Sequence, residues 1–384
     1  MQVENKKIAY FDNAATTYIK PKEVHDFMRS FYSANSVNVG RGAHQLLNSS
    51  NRLIADTRKN IVKLFNGNSD HVAVFTATAT EAINIILQGS EFCEGDNIYV
   101  SPFEHNSVYR VLHHVVKTKK INIIVLSVDR ETLEFNFSSI RNQFIDNAPK
   151  MVVVTHVSNV CGNVAPLERI GELVKEFNAI FVVDCAQSAG LLETDIVASR
   201  ADYMVFAGHK TLYGAFGCSG FICSKSSRLK PLIIGGTGTE SASENMPDNI
   251  PERFEAGSKN IMAIAGLHSA LEWQNRIGRD MIREKEKANY KELINVLSKY
   301  DFIHFAGNSD NSISILSCAF SGYAPDEVER VLSDKGIIVR SGLHCAPLAH
   351  KFLGTFPAGT VRFSVSYFTC SEDFAKLREA LNEF

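Results

Sequence analysis

The chain of 384 residues has no CxxC pair, no apolar run near the ~18 residues of a membrane span, and no surplus of either charge. Its eight cysteines, at 93, 161, 185, 218, 223, 318, 345 and 370, lack a His partner at metal-ligand spacing, so no metal site is expected. They are too thinly spread for a disulfide framework, and most read as small buried hydrophobes. Lys plus Arg number 40 against 42 for Asp plus Glu, a net charge of -2, which argues against a nucleic-acid surface. The stretches Ala179 to Val183 and Ile121 to Leu126 have the length of buried strands, and no membrane association is expected. The start, MQVENKKIAYFDNAATT, has no apolar core of a signal peptide, so a soluble, cytoplasmic protein is expected. The phosphate motifs GxxxxGK(S/T) and GxGxxG are missing, as are internal repeats and low-complexity stretches.

What is present has ordinary globular values, with 45% hydrophobic and 21% charged residues. At about 150 residues per domain, the length suggests two to three domains, or one large domain with an appendage. From residue 71, short apolar runs alternate with amphipathic segments. The runs are HVAVF (71–75), NIYV (97–100), INIIVLSV (121–128), MVVVTHV (151–157), AIFVVDCA (179–186) and DYMVF (202–206). Helix-period segments such as TEAINIILQG, HNSVYRVLHHVVK and PLERIGELVKEF separate them. Strands apolar throughout, spaced by helices, predict an α/β fold with a mostly parallel sheet covered on both faces. Residues 226–258 read as irregular, 259–299 as one long helix, and the remainder as a smaller α+β unit. The expected division is a large domain over 15–258 and a smaller one made of 1–14 and 259–384.

In an open α/β sheet, ligands bind beyond the carboxyl ends of the strands. That rule singles out Thr78 to Thr80, Glu104 and His105, His156 to Asn159, Asp184 to Gln187, and His209 with Lys210. Taken alone, each has a plain reading: Thr80 as a helix cap, a loop His or Asn as a satisfied polar group. An Asp after four apolar residues is less easily dismissed, because a carboxylate buried without a partner is costly. Together the residues match the needs of pyridoxal phosphate. A Lys bonds its aldehyde, an Asp pairs with its ring nitrogen, and a helix N-terminus with hydroxyls suits its phosphate. A flat side chain can stack on the ring, and an amide can meet the phenolic oxygen. Lys210, Asp184, the 79–80 helix start, His105 and Gln187 or Asn159 fill these roles.

Further motifs occur in order: FDNAATT (11–17), NVGRGAH (38–44), TATATEAIN (76–84), EHNS (104–107), VSNVCGNVAPL (157–167), VDCAQSAG (183–190), AGHKTLYGAFG (207–217), RFEAGS (253–258) and RSGLHCAP (340–347). Jointly they resemble the class V aminotransferase-like family of fold-type I pyridoxal phosphate enzymes, over about 8 to 384. Within it they are most similar to the cysteine desulfurases and selenocysteine lyases of the second, SufS-like group. The resemblance implies that Lys210 holds the cofactor and moves protons, that Asp184 pairs its ring nitrogen, and that Gln187 meets the phenolic oxygen. His105 is implied to stack on the ring and to handle the thiol proton. Ala79, Thr80 and His209 would hold the phosphate, with Ser258 reaching the phosphate of a second subunit in a homodimer. Asn159 and Arg362, with Arg340 beside them, would grip the substrate carboxylate. Two positions depart from the family pattern: Ala207 where a phosphate-binding Ser is common, and Ser258 in place of Thr.

Cys345 follows His344 in a Gly-containing turn rather than an apolar strand, with Arg340 nearby to favour a thiolate. By resemblance it is the cysteine that takes sulfur from L-cysteine as a persulfide while alanine is released. It lies seventeen residues before Arg362, without a long insertion, so a separate acceptor protein is expected to approach the site. Three alternatives stay open at this point. One is a selenocysteine lyase, and another is a different class V activity such as a transaminase, epimerase or C–S lyase. The third is a binding protein that has lost catalysis.

Overall fold

Alternate residues of the central strands enter two different hydrophobic clusters, and this makes the strand segments apolar throughout. Val152 and Val154 pack into one, Met151 and Val153 into the other; Ala73 and Phe75 are likewise separated from Val72 and Val74. The computed structural model describes residues 8–39, 42, 44–307 and 311–384. Residues 40, 41 and 43 of the NVGRGAH motif, and residues 1–7 of the 1–14 segment, lie outside the described residues.

Strand β1 (Ala9–Tyr10) leads to helices α1 (Lys22–Asn35) and α2 (Gln45–Leu64). Then follow β2 (His71–Thr76), α3 (Ala79–Gly89), β3 (Asn97–Val100), α4 (Asn106–Lys119), β4 (Asn122–Val125), α5 (Phe137–Asp146), β5 (Pro149–Thr155), α6 (Leu167–Glu176), β6 (Ile180–Asp184), β7 (Tyr203–Ala207) and β8 (Ser219–Ser224). Strands β2 to β8 form a seven-stranded sheet in the order β2-β8-β7-β6-β5-β3-β4. Its pairings are parallel except those of β8, which runs antiparallel to both neighbours. The α/β, mostly parallel sheet is therefore as the sequence predicts.

Three details differ. SGFICS, not recognised as a strand in the sequence, is β8; it is short, begins at a Ser-Gly pair and is buried by β2 and β7. The Ile121–Leu126 stretch is not a fully buried strand, because β4 is the sheet edge and Val125 is exposed. The long helix at 259–299 is two helices, α7 (Ile261–Ile277) and α8 (Arg279–Leu297), broken at Gly278 with φ +91°.

Beyond α8 come β9 (Ile303–Ala306), β10 (Ile315–Phe320), α9 (Pro325–Asp334), β11 (Ile337–Ile338), β12 (Arg340–Gly342), α10 (Pro347–Leu353), β13 (Thr360–Ser364) and α11 (Ser371–Leu381). An antiparallel sheet in the order β12-β13-β10-β9 packs one face on Val328, Leu332, Phe374 and Leu377. The N-terminal segment joins this unit: β1 pairs in parallel with β11, and Phe11 lies in its core. Among the described residues, no helix is long and apolar enough to cross a membrane.

Candidate active site

The carboxyl ends of β2, β3, β5, β6 and β7 open onto one cavity of about 470 Å³. Its opposite wall comes from β12, β13 and the loop before α10. Ala79, Thr80, His105, Asn159, Asp184, Gln187, His209, Lys210, Arg340, Cys345 and Arg362 all line it. Ser258 does not; it is exposed and lines separate cavities beside Glu255 and Lys259.

At one end of the cavity lies the start of α3. Its cap is Thr78, not Thr80: Thr78 Oγ1 accepts the Glu81 N–H at 3.1 Å, and Glu81 accepts the Ala77 N–H at 2.9 Å. The Thr80 hydroxyl is thus not spent on the cap, and the N–H groups of Ala79 and Thr80 have no acceptor within the helix. His209 lines the same cavity, with its ring stacked on Phe216 at 4.5 Å. Burial, then the charges of Lys210 and Lys20, push the His209 pKa down to about 3, so its ring is neutral.

Lys210 follows β7 through a turn that requires Gly208, where a Cβ would lie 2.1 Å from the Cys218 carbonyl oxygen. Thr16 Oγ1 and Lys20 Nζ donate to the His209 carbonyl at 2.9 and 2.8 Å and pin the residue before Lys210. Burial lowers the Lys210 pKa, against the pull of Asp184 and with the help of Arg362. Asp184 ends β6 and accepts the Ala186 N–H at 2.9 Å. Burial raises its pKa, while that N–H and Lys210 act in the opposite direction.

His105 caps α4 by accepting the Ser107 N–H at Nδ1, at 3.0 Å. A backbone N–H only donates, so the neutral ring carries its proton on Nε2. Burial, then Lys210 and Arg362, hold the His105 pKa at about 4. The adjoining Glu104 is fully buried, accepts from Ser101 Oγ at 2.5 Å and the Thr155 N–H at 2.6 Å, and is raised by burial to about 8. Gln187 Nε2 donates to the Ala14 carbonyl at 2.7 Å and keeps a second N–H.

The opposite wall carries the guanidiniums. Arg340 and Arg362 face each other in the register of β12 and β13. Arg362 is buried and donates to the Asn159 carbonyl at 2.9 Å and to Asp12 at 2.8 Å. Arg340 is half-exposed, and its fork lies on the Asp12 carboxylate.

Cys345 is exposed and borders the cavity, whereas Cys161, Cys185, Cys218, Cys223 and Cys318 are buried as expected; all eight are free thiols. Both His344 and Cys345 adopt left-handed backbone, at φ +47° and +56°, which non-glycine residues hold only when their surroundings impose it. The surroundings are visible. Asn159 Nδ2 donates to the His344 carbonyl at 2.7 Å, the Asn106 N–H donates to the Cys345 carbonyl at 2.7 Å, and His344 Nε2 meets Thr360 Oγ1 at 2.9 Å. The sequence pattern assigns no role to Asp12 or His344, and it offers Thr80 rather than its rim neighbour Thr78 as the cap of α3. Asp12, like Asp184, is a carboxylate that directly follows apolar residues, where burial without a partner is costly.

Unpartnered groups decide whether these residues suit pyridoxal phosphate. Asn159 Oδ1, His209 Nδ1 and Arg362 Nε are buried without a hydrogen-bond partner, and all three residues line the cavity. Helix-start N–H groups, a buried carboxylate, a spare amide N–H and a lysine amine whose pKa burial lowers fit a molecule with a phosphate, a ring nitrogen, a phenolic oxygen and an aldehyde. Ala207, also in the wall, offers no hydroxyl to that phosphate.

Comparison with known proteins agrees with this geometry. The Aminotransferase class-V family matches residues 9–377. A probable cysteine desulfurase of Methanothermobacter thermautotrophicus is 33% identical over 380 residues, covering 97% of this chain and 94% of its own. One from Pyrococcus abyssi is 32% identical, covering 98% and 94%. The apo structure of a cysteine desulfurase from Thermococcus onnurineus superposes with a TM-score of 0.89 at 30% identity, over 98% of this chain and 94% of its own. With fold, cavity and full-length likeness in agreement, the chain belongs to the class-V aminotransferase family, whose enzymes typically depend on pyridoxal phosphate.

Proposed function

We propose that this protein is a cysteine desulfurase that converts L-cysteine to L-alanine and keeps the sulfur as a persulfide on Cys345. The observation that supports this reading is the sharing of one cavity by an exposed thiol, a half-buried lysine and a buried guanidinium with an unmet N–H. The full-length likeness to two probable cysteine desulfurases and to the solved cysteine desulfurase of Thermococcus onnurineus supports it further.

Ala79, Thr80 and His209 would hold the phosphate of pyridoxal phosphate, Asp184 its ring nitrogen, Gln187 its phenolic oxygen and Lys210 its aldehyde. When bound, the cofactor withdraws electrons from the substrate Cα and makes its proton acidic. Lys210 Nζ, its proton affinity reduced by burial, takes that proton and returns it. Arg362, whose Nη1 and Nη2 are engaged by Asn159 and Asp12, meets the substrate carboxylate through its unbonded Nε–H. The Cys345 thiolate attacks the substrate sulfur: an S–S bond forms, the Cβ–S bond breaks, and the electron pair stays on carbon. In net, the Cα proton is restored and the proton given up by Cys345 becomes the third methyl hydrogen of alanine. His105 offers a neutral ring face, and because its Nε2 carries the proton, that face matters more than base strength.

Ser258, away from its own cavity and exposed, is suited to the phosphate of a second copy in a homodimer. A loop tied at both His344 and Cys345 does not swing far, so a sulfur-acceptor protein would come to Cys345. The test is alanine release from L-cysteine under reducing conditions with pyridoxal phosphate. Alanine from the wild type and none from Cys345→Ala is expected. Equal alanine from both would remove Cys345 as sulfur carrier, and none from either, with cofactor bound, would shift the substrate to another amino acid, selenocysteine first.

A further inference from the structure

Strand β3 ends before its neighbour β5 does, and a side chain, Glu104, takes the place of the next rung. The last rung of that ladder has the Ser101 N–H on the Val153 carbonyl at 3.1 Å. The chain then turns away at Pro102, which has no N–H to give a neighbouring strand. Two residues further along β5, the Thr155 N–H is met by Glu104 Oε1 at 2.6 Å instead of by a strand carbonyl. Ser101 Oγ donates to the same oxygen at 2.5 Å and accepts the Phe103 N–H at 3.2 Å. Thr155 Oγ1 meets Glu104 Oε2 at 2.9 Å. Glu104, Ser101 and Thr155 are all buried.

This clamp joins two parts of the cavity wall. On one side, Thr155 lines the cavity and pairs with Asp184 in the register of β5 and β6. On the other, Glu104 is followed by His105, a cavity residue, and by Asn106, whose N–H donates to the Cys345 carbonyl at 2.7 Å. The two carboxyl oxygens are not equivalent. Oε1 takes two donors, whereas Oε2 meets only a hydroxyl, which can accept as well as donate. A neutral acid with its proton on Oε2 therefore satisfies every contact. Burial, and after it the charge of Asp184, raise the Glu104 pKa to about 8 against the Ser101 and Thr155 donors, which agrees with that neutral form.

We propose that Glu104 is a positioning residue for the cofactor ring. By tying the turn before His105 to Thr155, it fixes the spacing between His105 and Asp184, which would hold the ring by its face and by its nitrogen. Glu104 acts through its reach and its hydrogen bonds, not through a charge. This rests on the reading of His105 as the stacking residue.

The test compares Glu104→Gln with Glu104→Asp, each as holoenzyme. It reads the visible circular dichroism of the bound cofactor, which reports how the ring is held, and the kinetics with L-cysteine. Gln keeps the reach: its carbonyl replaces Oε1 as acceptor, and its amide N–H meets Thr155 Oγ1. Asp keeps the acid but is one methylene short. Glu104→Gln is expected to keep the wild-type dichroism and a kcat within about twofold. Glu104→Asp is expected to change the dichroic band and to lose about tenfold in kcat, with KM altered less than about twofold. Ser101→Ala removes an Oε1 donor from outside the cavity; it should change the band in the same sense with about a threefold loss, and it decides the matter if Glu104→Asp does not fold.

A lower Tm with wild-type dichroism and kcat in these two variants would make Glu104 merely structural and overturn the proposal. A Glu104→Gln as impaired as Glu104→Asp would also overturn it, by assigning the effect to the acid itself. His105→Ala tests the underlying reading separately. If its dichroic band matches wild type, His105 is not the stacking residue and the proposal falls with that reading. If His105→Ala alters the band while Glu104→Asp and Ser101→Ala do not, the proposal falls alone.

Discussion

Asn159 Nδ2 donates to the carbonyl of His344 at 2.7 Å, so the residue before Cys345 hangs from the loop that leaves β5. The same Asn159 accepts Arg362 on its own carbonyl at 2.9 Å. One residue thereby sets the spacing between the thiol and the buried guanidinium. In the proposed mechanism this couples the position of the nucleophile to that of the substrate carboxylate.

Asn159→Ala should uncouple them. The His344 carbonyl loses a buried donor, a change worth about 1–3 kcal/mol in the loop. With Cys345 displaced, alanine formation from L-cysteine is expected to fall between about tenfold and a hundredfold. The absorbance of bound cofactor should be retained. An unchanged rate in a folded variant would contradict the tie.

Gly208→Ala addresses the lysine. A Cβ there would lie 2.1 Å from the Cys218 carbonyl oxygen, so β7 and β8 must separate or the turn to Lys210 must move. A loss of about 2–4 kcal/mol in stability is expected, with weaker cofactor retention on dialysis. A variant with wild-type Tm and cofactor content would show that the turn has room to spare.

Glu286 predicts a pH dependence. It is buried in α8, accepts Tyr213 Oη at 2.7 Å and Ser314 Oγ at 2.8 Å, and so links the turn after Lys210 to the start of β10. Burial raises its pKa from 4.5 to about 7, against the two hydroxyl donors. The folded state therefore holds a proton that the unfolded state has released, so this contribution is intact below about pH 4.5 and is lost as pH rises through about 7. The loss is on the order of 3 kcal/mol. Glu286→Gln should give a Tm that declines less between pH 5 and 8 than wild type, measured by thermal melts across the range. Parallel curves for the two proteins would contradict it.

The rim was legible because the rule that places ligands beyond parallel strand ends needs only strand positions. Those came from unbroken apolar runs such as NIYV and MVVV. Asp184, Lys210 and His105 all follow such runs. Strand β8 escaped because SGFICS carries Ser and Gly and is made a strand by its two antiparallel neighbours, a tertiary effect. The break at Gly278 escaped because one glycine within a helical pattern is tolerated as often as not. Thr78 and Thr80 both precede apolar helical residues, and only the geometry of the Glu81 N–H tells which one caps. Asp12 and the Asn159 tie depend on pairings across about 200 residues or more, between β1, β5 and the C-terminal sheet, which no local pattern encodes.

The central claim is that Cys345 carries the sulfur, and the most direct measurement is the mass of its peptide after one turnover. Holoenzyme is given one equivalent of L-cysteine without reductant or acceptor, alkylated, digested and weighed, with released alanine counted. The account predicts one added sulfur atom on the Cys345 peptide for each alanine formed, and an unmodified Cys93, the other exposed thiol. Alanine formed with Cys345 unmodified, or sulfur found on Cys93 instead, would contradict it.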